Sequence, residues 1–243
     1  CDYATDLCGV CVIDGGDNST CTIISDIDGN EYGTVEIGDQ LWMAENLKVT
    51  HYKNGNEINT TMDDDSWESL GVGGYCSYEN NEENVDVYGQ LYNWYAVIDS
   101  RGICPENMHI PNDNDWEILV NYLGGEDIAG GKMKAIGTLE DQTGLWTAPN
   151  TGATNESGFD ALPAGRRGSY GNGYYNDIGN QAVFWSSDGY CCNPGDVGYR
   201  RELMFDNIQA AYWGNHAHIG FSVRCVTTDF EDVGCTDPNA TNY

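Results

Sequence analysis

Basic residues are scarce in this chain. Ten lysines and arginines stand against 39 aspartates and glutamates in 243 residues, a formal net charge of -29. Affinity for nucleic acid comes largely from neutralising phosphates with basic side chains, so nucleic acid is a poor partner, and an anionic membrane surface is another. No stretch approaches 18 apolar residues, so no membrane insertion is expected. No serine sits in a G-x-S-x-G elbow, and no glycine-rich phosphate loop follows a strand, which removes two common catalytic signatures. Histidines number four: His51, His109, His216 and His218. The last two form an H-x-H able to face one side of a strand, but no third metal ligand accompanies them. The chain is read as a non-enzyme.

Cysteine, by contrast, is abundant. Ten cysteines in a chain rich in glycine, asparagine and tyrosine point to an oxidising compartment, hence to a secreted or cell-surface protein. Cys8 and Cys11 make a C-x-x-C, but no second pair stands at zinc spacing. The chain opens at Cys1 without a methionine, charged n-region or h-region, and is expected to be a mature or excised product. The surplus of carboxylates attracts cations, calcium above all. The candidate calcium ligands are Asp26, Asp28 and Asn30, spaced D-x-D-x-N. Glu31 stands where such a loop needs glycine and Ile37 where it needs glutamate, and the same triplet also reads as a hairpin turn. Asp63, Asp64 and Asp65 are consecutive, so they point apart as a solvated face.

Composition divides the chain into three. Residues 1–21 hold Cys1, Cys8, Cys11 and Cys21 in an Asp/Gly-rich segment that needs disulfides, ions or a neighbour to be ordered. Residues 22–228 read as one globular domain. Residues 229–243 return to cysteine, aspartate and proline. Within the domain, "GNEYGTVEIGDQLWMAENL" reads as a β-hairpin turning at Asp28-Gly29-Asn30 and again at Gly38-Asp39. "YGQLYNWYAVID" places Leu91, Tyr92, Tyr95 and Ile98 at helical spacing, and one helix is expected over Tyr88 to Asp99. "PNDNDWEILVNYLGG" is a second helix, capped by Asn112 or Asn114, with Trp116, Leu119, Val120 and Leu123 as its buried stripe and Gly124-Gly125 as its stop. No helix is expected after about residue 131, where short strands alternate with Gly/Asn/Ser-rich loops. Hairpin, two helices, long loops and late strands describe an α+β domain.

The stretch "NTGATNESGFDALPAGRRG", Asn150 to Gly168, lacks catalytic chemistry, and an ordered loop of that length has a structural or binding role. Tyr170, Tyr174, Tyr175 and Trp213 lie in Gly- and Asn-rich segments suited to stacking on sugar faces or to adaptable protein contacts. Arg166 and Arg167 could clamp a ligand carboxylate; these two, like Arg200-Arg201, are more readily read as pairing with the surplus of acids. Adjacent Cys191 and Cys192 are expected to bridge to different partners, Cys76 and Cys235 being the candidates.

Seven segments in series carry a family resemblance: "DIDGNEYGTVEIGDQLWMAENLK", "YGQLYNWYAV", "CPENMHIPNDNDWEILVNYLGG", "GGKMKAIG", "LWTAPNTGATNESGFDALPAGRRG", "AVFWSSD" and "GFSVRCV". In this order the chain resembles the Fibrobacter succinogenes major paralogous domain, a secreted bacterial module, over roughly Ser25 to Val226. It departs at Glu106-Asn107-Met108, where the family usually has Gly-Trp before His109. The resemblance implies a fold related to C-type lectins and formylglycine-generating enzymes, with two helices, small sheets and long loops held by Trp146, Phe159 and Leu162. It also implies a Cys104–Cys225 disulfide. "FWSSD" stands where a calcium-dependent sugar site would need Trp-Asn-Asp, so that site is not supported. Copper oxidase chemistry of the formylglycine-generating type would fall to Cys191 and Cys192 and is the least favoured reading. The flanks resemble short cysteine repeats of large surface proteins of marine Bacteroidetes. Together these imply a structural or interaction module of a longer extracellular protein, joined head to tail to copies of itself or to neighbouring modules, with Cys235 pairing across a junction. A carbohydrate-binding or adhesive module is the alternative.

Overall fold

The computed structural model describes residues 23–61, 63–168, 175–190 and 196–229. Cys1, Cys8, Cys11, Cys21, Tyr170, Tyr174, Cys191, Cys192 and Cys235, and with them the expected N-terminal segment and nearly all of the tail, lie outside the described residues.

The domain is α+β and strand-rich. Five helices are described: α1 Asp64–Glu68, α2 Val85–Tyr88, α3 Trp94–Val97, α4 Asp113–Tyr122 and α5 Glu126–Met133. The strands form five small sheets of two or three members. The early hairpin forms as expected, in two parts. Ile24–Ser25 pairs with Glu31–Tyr32, and Thr34–Ile37 pairs with Gln40–Met43 around Gly38-Asp39. Val226–Thr227 adds to Gln40–Met43, so the two ends of the domain share one sheet.

Two sequence expectations are corrected. Helices number five rather than two, and Tyr88 to Asp99 is not one helix. Gly89 takes φ 72°, a left-handed conformation that ends α2, and a Cβ there would strike Asn46 and the Leu47 carbonyl. Leu91–Tyr92 is then a strand paired with Tyr75–Cys76, and Asn93 caps α3 by accepting from the Ala96 N–H. In consequence Trp94, Ala96 and Val97 are buried, whereas Ile98 is exposed.

The expectation for α4 holds. Asn112 accepts from the Asp115 N–H while the Asp115 carboxylate accepts from the Asn112 N–H, a reciprocal capping box. Trp116, Leu119, Val120 and Leu123 are buried, and Gly124 and Gly125 take positive φ just beyond. Burial alone would raise the Asp115 carboxyl, but hydrogen bonds from His109 and the Asn112 N–H outweigh it and hold the group below its usual range. A folded pKa below the unfolded one means that this stabilisation is complete above the unfolded value of about 4 and is lost as pH falls through the folded one. Thermal stability is therefore expected to drop below about pH 4, and less steeply in Asp115→Asn, as a pH series of melting curves would show; equal acid sensitivity in both proteins would count against the cap's role.

The ten-residue strand Gln181–Tyr190 organises the interior. Its neighbours alternate between two cores, Val183 and Trp185 entering one with Trp94, Phe221 and Cys225, and Ala182 and Phe184 entering the other with Trp116, Trp146 and Phe159. Cys104 and Cys225 are joined across a sequence separation of 121, with Cα atoms 5.8 Å apart. Trp146, just before the loop Asn150 to Gly168, and Phe159 within it are fully buried, and Leu162 packs partly buried against the same core. No helix among the described residues is long and apolar enough to cross a membrane.

Candidate functional site

Gln181–Tyr190, Val197–Met204 and Ala211–His216 form an antiparallel sheet in that order. Register decides which side chains meet, because residues directly opposite one another share a face and successive residues alternate. Phe184, Arg201 and Tyr212 lie in one line across the three strands, and Trp185, Arg200 and Trp213 in the next, on the opposite face. The sheet begins buried and ends in solvent, with Tyr190 55%, Tyr212 36% and Trp213 57% exposed.

The outer end is held rigidly. Gly189 and Gly198 oppose each other, and a Cβ on either would run into the Trp94 indole, which packs there and donates to the Ser186 carbonyl at 3.1 Å. With Trp94 supporting that face, Tyr190, Tyr199 and Tyr212 form a row on the other. Ring centroids are 6.2 Å apart for Tyr190–Tyr199 and 5.3 Å for Tyr199–Tyr212. Carboxylates from α4 and the first strand flank the row. Tyr212 Oη and Ser186 Oγ each donate to Asp113 at 2.7 Å, and the Asp113 N–H donates to Asp188 at 2.9 Å. Burial and the bond to Asp113 push the Tyr212 phenol up, so it stays a donor.

Arg201 lies beneath, its guanidinium 4.8 Å from the Tyr212 ring centroid. It is 6% exposed, and its Nε is buried without a hydrogen-bond partner. Desolvation pushes its pKa down, opposed by Glu126 and Asp113. The arginine pairs were expected to be absorbed by acids. Arg166 meets Asp177 at 3.2 Å, Arg167 meets Asp64 at 3.0 Å and Arg200 meets Glu202, but Arg201 makes no such pair among the described residues. A depression of about 460 Å³ is lined by Lys53, Val97, Ile103, Met108, Asn112 and Ser187, among others.

The residues singled out from the sequence are thus dispersed. Trp213 is exposed on the edge strand, on the face opposite the tyrosine row. Arg166, Arg167 and Tyr175 belong to another ladder, Ala164–Arg167 with Tyr175–Ile178. There Arg167 is fully buried, donates to the Thr61 carbonyl and lies over Trp67 and Tyr175. Tyr175 donates to Asn80. Cys76 is a buried free thiol, raised by burial against the influence of Arg167 and Tyr175, and its expected partners Cys191 and Cys192 lie outside the described residues.

The D-x-D-x-N triplet forms a hairpin turn. Asp26 accepts from the Asp28 and Asn30 N–H groups, the Asn30 amide and Tyr32 Oη, whereas Asp28 turns away to Thr50 and His51. These donors occupy the oxygens as a hairpin turn does. Among the described residues no group of three or more His, Cys, Asp or Glu side chains is gathered for a metal. His109 meets Asp115, and His218 packs against Tyr95.

The frame is therefore that of a disulfide-tied α+β domain with an aromatic sheet end. The chain belongs to the family described as the Fibrobacter succinogenes major domain, which it matches over residues 35–227. No curated protein and no solved structure matches it.

Proposed function

We propose that this chain is a non-enzymatic extracellular module of C-type lectin-like fold within a larger bacterial surface or fibre-forming protein, joined head to tail to copies of itself or to neighbouring modules. The tie from Cys104, before α4, to Cys225, before the final strand, supports the fold and an oxidising location. One observation carries the role. The strand Ala211–His216 has a sheet partner on one side only among the described residues, and it presents Trp213 to solvent. An open edge offers backbone donors and acceptors to an incoming strand, and this one, "AYWGNH", carries none of the lysines or prolines that commonly protect edges.

The net charge of -29 makes units repel. Association is therefore expected to strengthen with salt, as the screening length falls from roughly 10 Å at 0.1 M to about 3 Å at 1 M. Sedimentation velocity and native mass, each with and without reductant and chelator, test the proposal. Multimers are expected for the wild-type chain, and Trp213→Lys is expected to be monomeric with an unchanged melting temperature. A monomer at every salt and protein concentration overturns it. Loss of multimers on reduction identifies a covalent junction, and loss on chelation identifies a bridging cation such as calcium.

A further inference from the structure

We infer that the tyrosine row is a binding site for a neutral glycan chain. The row lies on the sheet face opposite Trp213, so the inference is independent of the edge strand's role. Three observations combine. Tyr190, Tyr199 and Tyr212 offer adjacent rings, two of them well exposed, on a sheet that Trp94 keeps rigid from behind. A pyranose has an apolar C–H face that stacks on such rings and a rim of hydroxyls that needs both acceptors and donors. Asp113 and Asp188 supply acceptors at one side of the row; a carboxylate has about four lone-pair sites, so Asp113 retains capacity beyond Ser186 and Tyr212. The phenol hydroxyls of Tyr190 and Tyr199 supply donors, while Arg201, buried beneath the row, backs the Tyr212 ring with its guanidinium.

Charge narrows the ligand class. An anionic ligand is repelled by Asp113, Asp188 and the charge of the whole molecule. The charge of the molecule would draw a cation to any of its carboxylates, whereas the ring row beside Asp113 and Asp188 singles out a ligand with an apolar face. A neutral polyhydroxylated ring fits both, its C–H face on the rings and its hydroxyls donating to the carboxylates and accepting from the phenols. Every group named is protein-borne, so binding requires no calcium.

The experiment titrates the whole chain with neutral hexasaccharides of the cello-, xylo-, manno- and laminari- series, by calorimetry and affinity electrophoresis, with and without chelator. At least one series is expected to bind, unaffected by chelator. Tyr199→Ala and Tyr190→Ala are each expected to weaken it by about tenfold or more. Tyr190→Ala guards against misfolding, because Tyr190 is more than half exposed and its loss is expected to leave the melting temperature unchanged. Absence of binding across the panel, binding indifferent to both tyrosines, or binding abolished by chelator would each overturn the inference. If the panel fails while Trp213→Lys still dissolves multimers, the glycan site is wrong and the module reading stands.

Discussion

Replacing Cys104 and Cys225 together with serine is expected to destabilise the domain by about 4–5 kcal/mol, because the bridge closes a sequence separation of 121 and removes that loop's entropy from the unfolded chain. For a domain of this size the loss corresponds to a melting temperature lower by roughly 10–20 °C. Both cysteines are buried, packed in one core with Tyr32, Met43, Trp94 and Phe221, so no solvent-side rearrangement takes over the bridge's role. Cys225 lies next to the final strand, which shares a sheet with Gln40–Met43. Opening the bridge therefore loosens the closure between the early and late parts of the chain as well as the loops between them. Urea unfolding of the wild type and the double variant measures the difference, and a change below about 1 kcal/mol would show that packing alone closes the domain.

Arg224→Met is expected to cost roughly 1–3 kcal/mol for each buried acceptor that it leaves unpaired. Arg224 is fully buried and forms no ion pair among the described residues. Its guanidinium instead donates to the carbonyls of Phe159 and Asp160 and to the Asn46 side chain, and it stacks on Phe159 at 4.4 Å. It thereby ties the early strands, the long loop and the last segment at one point. Methionine fills much of the volume but leaves those acceptors unpaired in the interior. Arg224→Lys is expected to recover little, since a compact ammonium cannot reproduce the planar fork. Lys134 uses the same device, donating to the Thr151, Met204 and Asn207 carbonyls at 2.9, 2.9 and 2.8 Å. Two buried cations bound to carbonyls thus hold the segment Asn150 to Gly168 and its surroundings, where regular ladders are sparse. Urea unfolding of Arg224→Met that matched wild type would contradict this account.

Much of the fold was legible from local chemistry. The α4 cap, its apolar stripe and its glycine stop are all written in "PNDNDWEILVNYLGG", and the early hairpins follow from their turn residues. What stayed hidden depends on distant contacts. The sequence "EDIAGGKM" has poor helix propensity, yet α5 forms because Gly130 and Gly131 let its backbone approach the carbonyls of Gln209 and Gly152, where a Cβ would clash. Gly89 divides what looked like one aromatic helix, a break its sequence spacing concealed. The site was the least legible part. Tyr190, Tyr199 and Tyr212 stand far apart along the chain and meet only through strand register, whereas Tyr170, Tyr174 and Tyr175 are clustered in sequence. Arg201 looked like half of a basic pair, and only its burial without a carboxylate distinguishes it from Arg200. The alternation in "VGYRRELM" and "AYWGNH" was the available signal, since it puts Tyr199, Arg201 and Tyr212 on one face once those strands are paired.

Hydroxyl-radical footprinting tests most directly whether the outer end of this sheet is the working surface. The chain would be labelled at low and high concentration, with and without the neutral hexasaccharides. Tyr122, 65% exposed on α4, serves as the internal reference. Falling oxidation of Tyr190 and Tyr212 with glycan, or of Trp213 with concentration, while Tyr122 stays reactive, is the result predicted here. Unchanged reactivity of all three under every condition, or protection confined to Tyr122, would contradict the account.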